Sequence, residues 1–195
     1  MPFRRLCVFC GSSTGNRPSY RAAAEQLGAM MVERGIDLVY GGGNIGLMGV
    51  LADTVLARGG RVIGVIPESL MAKEVGHTGL TELRIVNSMH ERKALMSDLS
   101  DGFIALPGGF GTFEEFCEVV TWSQLGLQSK ACGLLNVESY YAPLLELIDR
   151  AVREGFLREE NRQLVLDDED PQRLLEKMSK FRPAPVAKWI GQDKR

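Results

Sequence analysis

The sequence is poor in the residues on which metal and proton chemistry most often depend. It contains two histidines and four cysteines among 195 residues. Cys7 and Cys10 form a C-x-x-C motif, but the segment LCVFC is typical of a strand, in which residues three apart face opposite sides at about 10 Å. A disulfide cannot span that distance. The other two cysteines are isolated in the sequence, so a zinc site would lack further ligands. We therefore expect small core cysteines, and we assign neither His77 nor His90 a catalytic role.

The chain also lacks an excess of positive charge and a long apolar run. Its formal net charge is -2 and its pI is about 5.8, which leaves no basic footprint for nucleic acid. No apolar run approaches the length of a membrane span. The first residues, MPFRRLCVFC, reach a Cys-Gly-Ser turn before a secretory signal could form. We therefore expect a cytoplasmic protein that binds neither nucleic acid nor membrane.

Apolar runs of strand length alternate with helical patterns along the chain. The predicted strands are LCVFC, DLVY, RVIGVI, LRIV, GFIAL, ACGLL and LVL, and the predicted helices cover about 18–34, 46–57, 89–100, 112–125, 140–153 and a segment from Pro171. This alternation predicts an α/β fold, a single-domain Rossmann-like doubly wound parallel sheet. We expect residues 1–180 to form the domain and 181–195 to form a loosely held C-terminal tail.

Glycine-rich loops follow several predicted strands, at the sheet edge where open parallel sheets bind ligands. Gly41-x-Gly43-x-x-Gly46, with Glu68 about 20 residues further on, imitates a dinucleotide fingerprint. The motif follows the second strand, however, and another glycine-rich loop competes for the phosphates. We therefore interpret it as a tight turn or as part of a mononucleotide site.

The loop from Pro107 to Thr112 is the stronger candidate for an anion site. Glycines permit close approach, and a helix that begins near Thr112 would offer free backbone N–H groups and the positive end of its dipole. The loop is not a Walker loop, because no lysine follows its glycines. A strand-to-helix turn without a ligand is the alternative.

Two carboxylates follow this loop directly. Glu115 stands three residues after Thr112, the spacing of a capping box in which the glutamate returns to the helix start. Glu114 faces about 100° away around the helix, where it would compensate the helix dipole or pair with a partner.

The segment MHERKALM places Arg92 and Lys93 at the start of a predicted helix. Positive charge is unfavourable at a helix N-terminus. Either a bound anion or a solvated basic turn would explain both residues.

The segments PGGFGTFEE, MHERK and LVYGGGNIGLMG together closely resemble the LOG ("lonely guy") family, the cytokinin riboside 5′-monophosphate phosphoribohydrolases. The resemblance covers about residues 4–150. It implies a nucleotide-binding hydrolase that cleaves the N-glycosidic bond of AMP and N6-substituted adenosine 5′-monophosphates. The products would be adenine or the free cytokinin base and ribose 5-phosphate. It further implies a homodimer, with nucleotide sites near the subunit interface and no metal or organic cofactor.

By position, the resemblance implies that Arg92 and Glu115 are the catalytic pair. The implied substrate-binding residues are Glu74, Lys93, Gly108, Gly109, Phe110, Gly111, Thr112, Phe113, Glu114 and Thr121. In this interpretation the loop holds the 5′-phosphate, and Glu115 stabilises an oxocarbenium-like ribose and orients or deprotonates water. Arg92 would offset the negative charge and position the substrate. The donor of a proton to the leaving base stays open.

Two other functions resemble this pattern less well. Similar sequences are described as lysine decarboxylases, but such an enzyme ordinarily needs pyridoxal phosphate on a lysine, and no lysine here has a recognisable setting for it. The same loop also resembles that of molybdenum-cofactor carrier proteins. The alternative function is therefore non-catalytic binding of a nucleotide or of the molybdenum cofactor.

Overall fold

The computed structural model describes residues 3–71 and 76–182, and seven parallel strands form the sheet at its centre. In chain order the strands are β1 Arg5–Phe9, β2 Asp37–Tyr40, β3 Val62–Pro67, β4 Glu82–Val86, β5 Gly102–Ala105, β6 Ala131–Leu135 and β7 Val165–Asp168. Their spatial order is β4-β3-β2-β1-β5-β6-β7. The predicted α/β fold is therefore confirmed.

Helices cover both faces of this sheet. They are α1 Pro18–Glu33, α2 Gly46–Ala57, α3 Glu68–Met71, α4 Met89–Asp98, α5 Phe110–Gln124, α6 Ala142–Arg153, α7 Glu159–Arg162 and α8 Pro171–Lys180, with a 3₁₀ turn at Val137–Ser139. Helices α1, α2 and α8 pack on one apolar cluster, and α4, α5 and α6 pack on the other. The predicted strands and the longer helices are all present, whereas the one-turn helices α3 and α7 were missed because four residues carry too little periodicity.

Local signals account for the helix ends. Pro18 begins α1, where its missing N–H costs nothing. Gly35 and Gly59 have φ values of 66° and 78° just after α1 and α2, a conformation that glycine adopts without a Cβ penalty. The Asp170 carboxylate accepts a hydrogen bond from the Arg173 N–H at 2.9 Å and so caps α8.

The two cysteines of the C-x-x-C motif pack on opposite faces of the sheet. Cys7 belongs to the cluster under α4 and α5, and Cys10 belongs to the cluster under α1 and α2. Both thiols are free and buried. The prediction of small core cysteines is confirmed.

The connections reverse direction between β1 and β5, which are neighbours in the sheet. From β1 the chain winds outward through β2, β3 and β4, and then returns to β5 on the other side. The loops after β1 and β5 therefore diverge at a topological switch point, where doubly wound sheets bind ligands. The Gly11 N–H donates to the Pro107 carbonyl across this point at 3.1 Å.

Two further predictions concern the ends and the surroundings of the domain. Apart from Phe181 and Arg182, the predicted tail 181–195 lies outside the described residues. Within the described residues, no helix has the length and apolarity that a membrane crossing requires.

Candidate active site at the switch point

A cleft of about 280 Å³ opens at the switch point, near the lower end of the range for small-molecule sites. Its walls come from the loops after β1 and β5, from α2, and from the starts of α3, α4 and α5. The lining residues are Cys10, Gly11, Ser12, Met48, Leu70, Met89, Arg92, Gly109, Phe110, Gly111, Thr112, Glu114 and Glu115. The cleft thus brings together seven of the predicted site residues.

Helix α5 begins two residues earlier than predicted. Its N-cap is Gly109 in an extended conformation, and the Gly109 carbonyl accepts the Phe113 N–H at 3.0 Å. Thr112 therefore lies inside the first turn, and the predicted capping box between Thr112 and Glu115 is wrong. The cause is that glycine can begin a helix through its backbone alone, without the side-chain signal of a capping residue.

A side-chain capping arrangement stands instead at α4. The Ser88 hydroxyl accepts the Glu91 N–H at 3.1 Å, and the Glu91 carboxylate returns to the Asn87 N–H at 2.9 Å. These bonds satisfy backbone donors at the helix start.

The first turn of α5 presents backbone donors to the cleft. The N–H groups of Gly109, Phe110, Gly111 and Thr112 precede the first intrahelical hydrogen bond, so helix geometry gives them no carbonyl partner four residues back. A Cβ placed on Gly109 or Gly111 would meet no atom within 4 Å, which shows that this side of the turn is open. Open N–H groups at the positive end of a helix dipole form an anion site.

Gly108 serves the contact between loops and not the open face of the cleft. A Cβ on Gly108 would overlap the Thr112 side chain and approach the Gly11 nitrogen to 2.9 Å. Gly108 lies beside a neighbouring cavity, between the loop after β1 and Tyr140. Its role in substrate binding stays a prediction.

Arg92 is buried at the carboxyl ends of β2 and β3, with 5% of its surface exposed. Its Nη2 donates to the Gly41 carbonyl at 2.7 Å, and its Nε donates to the Val65 carbonyl at 3.1 Å. These carbonyl dipoles stabilise the cation at the start of α4, so a bound anion is not needed to explain its position. These hydrogen bonds fix the position of the guanidinium in the wall of the cleft.

Lys93 joins α4 to α5 behind the cleft. Its ammonium donates to Glu114 at 2.5 Å and to Glu118 at 3.0 Å, and 9% of its side chain is exposed. Partial burial lowers the pKa of Lys93, but the hydrogen bonds and charges of the two carboxylates outweigh it and raise the pKa above its usual range. Lys93 therefore remains charged. It is the partner of Glu114 that the sequence alone does not identify.

Glu115 is the half-buried carboxylate of the cleft. Burial raises the pKa of the Cys10 thiol, and the nearby charge of Glu115 raises it further. Cys10 is therefore a neutral thiol in the wall of the cleft and not a nucleophile. The cleft offers a carboxylate, a guanidinium and a row of N–H donors, which together suit an anionic substrate that develops positive charge.

Four described residues among the predicted substrate contacts do not line this cleft: Lys93, Gly108, Phe113 and Thr121. Phe113 packs behind the loop against Tyr140 and Tyr141, with ring centroids 6.4 and 6.3 Å apart. Thr121 lies further along α5, donates to the Cys117 carbonyl at 2.7 Å and faces a separate groove. Glu74 lies outside the described residues. Their roles in binding stay predictions.

Sequence reasoning missed six residues of the cleft wall. They are Cys10, Gly11, Ser12, Met48, Leu70 and Met89. The first three belong to a loop at the carboxyl end of a strand, which is a usable signal. The apolar three carry no such signal, because a methionine or leucine in a helical pattern is usually a core residue.

The glycines of Gly41-x-Gly43-x-x-Gly46 serve the protein's own chain. The Gly41 carbonyl holds Arg92, and a Cβ on Gly46 would overlap the backbone of Ser12 and Ser13. Gly46 also has a φ of 61° at the start of α2. The interpretation as a tight turn is thus the one that the structure favours.

In the described ranges 3–71 and 76–182, no group of three or more His, Cys, Asp or Glu side chains could hold a metal ion.

A doubly wound parallel sheet with a helix start at its switch point defines a Rossmann-like α/β protein. The profile of a family described as "Possible lysine decarboxylase" matches residues 48–178. The chain is 52% identical over 181 residues to cytokinin riboside 5′-monophosphate phosphoribohydrolase LOG of Oryza sativa subsp. japonica, covering 93% of this chain and 75% of the relative. It is 51% identical over 181 residues to the LOG1 enzyme of the same name from Arabidopsis thaliana, covering 93% and 85%. The chain belongs to the LOG family of cytokinin riboside 5′-monophosphate phosphoribohydrolases.

Solved structures of similar fold are more distant in sequence. The molybdenum cofactor carrier protein of Chlamydomonas reinhardtii is 16% identical with a TM-score of 0.67, covering 91% of this chain and 98% of that one. The molybdenum cofactor binding protein of Rippkaea orientalis is 21% identical with a TM-score of 0.66, covering 90% and 94%. At these identities the likeness shows the fold alone.

The fit of Arg92 against Gly41 gives a paired prediction. A methyl group in Gly41→Ala would occupy the place of the guanidinium, so we expect the free energy of unfolding to fall by about 1–3 kcal/mol. Gly111→Ala places the same methyl group in open space within a helix, where it should stabilise by up to about 1 kcal/mol. Urea denaturation of both variants tests this difference. Equal changes in the free energy of unfolding would contradict the position assigned to the Arg92 side chain.

Proposed function

We propose that the protein is a nucleoside 5′-monophosphate phosphoribohydrolase. It hydrolyses the N-glycosidic bond of AMP and of N6-substituted adenosine 5′-monophosphates, and it releases adenine or the free cytokinin base together with ribose 5-phosphate. The observation that carries the proposal is the arrangement of one helix. The N–H donors at the start of α5 and the carboxylate of Glu115 line the same cleft.

The spacing within α5 suits a nucleotide. Glu115 lies five residues after Phe110, which is roughly 7.5 Å along the helix axis. The N-terminal N–H groups would bind the 5′-phosphate, and Glu115 would then lie beside the ribose. Two relatives, 52% and 51% identical to this chain, are named for the same substrate class, which supports the proposal.

Glu115 supplies the negative charge that the reaction needs. As the bond from C1′ to the base nitrogen breaks, its electron pair leaves with the base and positive charge develops on the ribose. A carboxylate at that point stabilises the charge and orients or deprotonates the water whose oxygen bonds to C1′. The buried Arg92 contributes a fixed positive charge in the same cleft, which stabilises the anionic substrate.

Decarboxylation of lysine is disfavoured by the state of Lys93. A lysine that forms a Schiff base with pyridoxal phosphate reacts as the neutral amine. Among the described residues, Lys93 is the lysine nearest the cleft, and its two carboxylate partners favour its charged form. A carrier of the molybdenum cofactor shares the fold, but the similarity at 16% and 21% identity does not extend to function.

The function is tested by incubating the purified protein with AMP and with isopentenyladenosine monophosphate, without added cofactor. Chromatography should show the free base and ribose 5-phosphate. Glu115→Gln should lower turnover by about 10² to 10⁴, and the variant should still fold because glutamine retains the size of the side chain. Glu33→Gln, an exposed change at the far end of α1, is the matched control. Undiminished turnover in Glu115→Gln would rule out its catalytic role.

We further propose that the protein is a homodimer, as its family resemblance implies, and that the face between α5 and α6 is the interface. Helix α6 packs on the core through partly buried side chains, and none of its residues is fully buried in the chain. Leu147 is 63% exposed on it, and Leu125, Leu127 and Phe156 on neighbouring segments are 51%, 71% and 89% exposed. An apolar surface of this kind is typical of an interface. A cytoplasmic location also stays a prediction.

Light scattering at micromolar concentration tests the dimer. The wild type should give about twice the chain mass of 21.5 kDa. Leu147→Asp should give the mass of one chain, because a charge in an apolar contact is strongly unfavourable. A wild-type monomer would contradict the proposal, and a dimer unaffected by Leu147→Asp would place the interface elsewhere.

A further inference from the structure

Two adjacent tyrosines donate hydrogen bonds to the loop that connects β5 to α5. The Tyr141 hydroxyl donates to the Leu106 carbonyl at 2.6 Å, and the Tyr140 hydroxyl donates to the Gly108 carbonyl at 2.5 Å. Tyr141 is 1% exposed, and its N–H donates to the Asn136 side chain at 2.7 Å. The pair therefore joins the start of α6 to a loop more than 30 residues earlier in the chain.

With these bonds, successive carbonyls of the loop are all directed onto protein donors. The Pro107 carbonyl accepts the Gly11 N–H at 3.1 Å, and the Gly109 carbonyl accepts the Phe113 N–H at 3.0 Å. The two tyrosines take the remaining carbonyls, those of Leu106 and Gly108. Carbonyl oxygens that turned toward the cleft would repel an anion, so this arrangement favours an anion by removing them.

The tyrosine bonds also orient the donors of the loop. In a planar trans peptide, the C=O of Gly108 and the N–H of Gly109 point in opposite directions. Holding the Gly108 carbonyl against Tyr140 therefore turns the Gly109 N–H away from Tyr140. A hydrogen bond to the carbonyl also polarises the peptide, which strengthens its N–H as a donor.

The backbone just before the pair is strained in a way that this role explains. Glu138 and Ser139 have φ values of 53° and 58°, and they are the non-glycine residues with positive φ in the described part of the chain. Such residues are uncommon and persist where the surrounding structure requires them. Here they turn the chain so that Tyr140 reaches Gly108, while Tyr140 also stacks near Phe113.

We propose that Tyr140 and Tyr141 are positioning residues for the 5′-phosphate. They act through the carbonyls of Gly108 and Leu106 and set the direction of the loop N–H groups before substrate binds. This inference rests on the proposed function, because it assigns the loop to the phosphate of the nucleotide. It predicts an effect that depends on the phosphate and not on the base.

The test compares AMP with adenosine in the full-length Tyr140→Phe protein. With Glu115→Gln added to both proteins so that AMP is not cleaved, calorimetry should show AMP affinity reduced roughly 3- to 10-fold, the loss expected for about one hydrogen bond. Adenosine affinity should stay within twofold. In hydrolysis, kcat/KM should fall for AMP and not for adenosine. Tyr20→Phe is the control, because its ring packs on Tyr140 with centroids 5.9 Å apart, and it should leave both ligands unaffected.

Tyr141→Phe gives a second measurement at the more deeply buried tyrosine. Its affinity for AMP should fall while its affinity for adenosine does not. Its melting temperature should also be lower than that of the wild type. Equal losses for AMP and adenosine in Tyr140→Phe would show a purely structural role and overturn the proposal, as would no change in either. If the wild type binds AMP without cleaving it, the proposed function fails. A selective loss of AMP affinity in Tyr140→Phe would still support the positioning role.

Discussion

The hydrogen bond from the Gly11 N–H to the Pro107 carbonyl joins the two loops on which the cleft depends. It holds the loop after β1 against the loop after β5, where the direction of winding reverses. The contact is possible because glycines stand on both sides of it. A Cβ on Gly108 would come within 2.9 Å of the Gly11 nitrogen, and a Cβ on Gly46 would overlap the backbone of Ser12 and Ser13. The glycines that suggest a ligand in the sequence thus serve first to bring the loops together.

Around this contact the protein satisfies its own charges and dipoles in a consistent way. Arg92 is held by strand-end carbonyls, and Lys93 is held by two carboxylates. Tyrosine hydroxyls and backbone N–H groups take the loop carbonyls. The N–H groups at the start of α5, beside the cleft, are donors that helix geometry leaves without a carbonyl partner four residues back. In the function that we propose, the site is therefore arranged in advance for the anionic substrate, and little reorganisation is needed when it binds.

Much of the fold could be predicted because its signals are local. Alternating strand and helix patterns predicted the parallel sheet, and Pro18 and Asp170 marked two helix starts that the structure confirms. The loops at the carboxyl ends of the strands were located correctly for the same reason. The sequence predicts the start of α5 near Thr112, two residues too late, because the glycine N-cap Gly109 leaves no side-chain signal.

The rest of the site depends on contacts between distant segments, which a sequence pattern does not record. Lys93 meets Glu114 and Glu118 because α4 and α5 pack side by side. Tyr140 reaches Gly108 across 32 residues. Arg92 and Glu115 were identified through family resemblance, since burial of an arginine against backbone carbonyls has no signature in the chain.

We propose that the start of α5 binds the 5′-phosphate while Glu115 faces the ribose. A crystal structure of Glu115→Gln with AMP would reveal this arrangement, because the slow variant should retain the intact nucleotide. We expect phosphate oxygens within hydrogen-bond distance, about 3 Å, of the N–H groups of Gly109 to Thr112, with the ribose C1′ beside residue 115. A phosphate bound elsewhere, with the ribose directed away from residue 115, would contradict it.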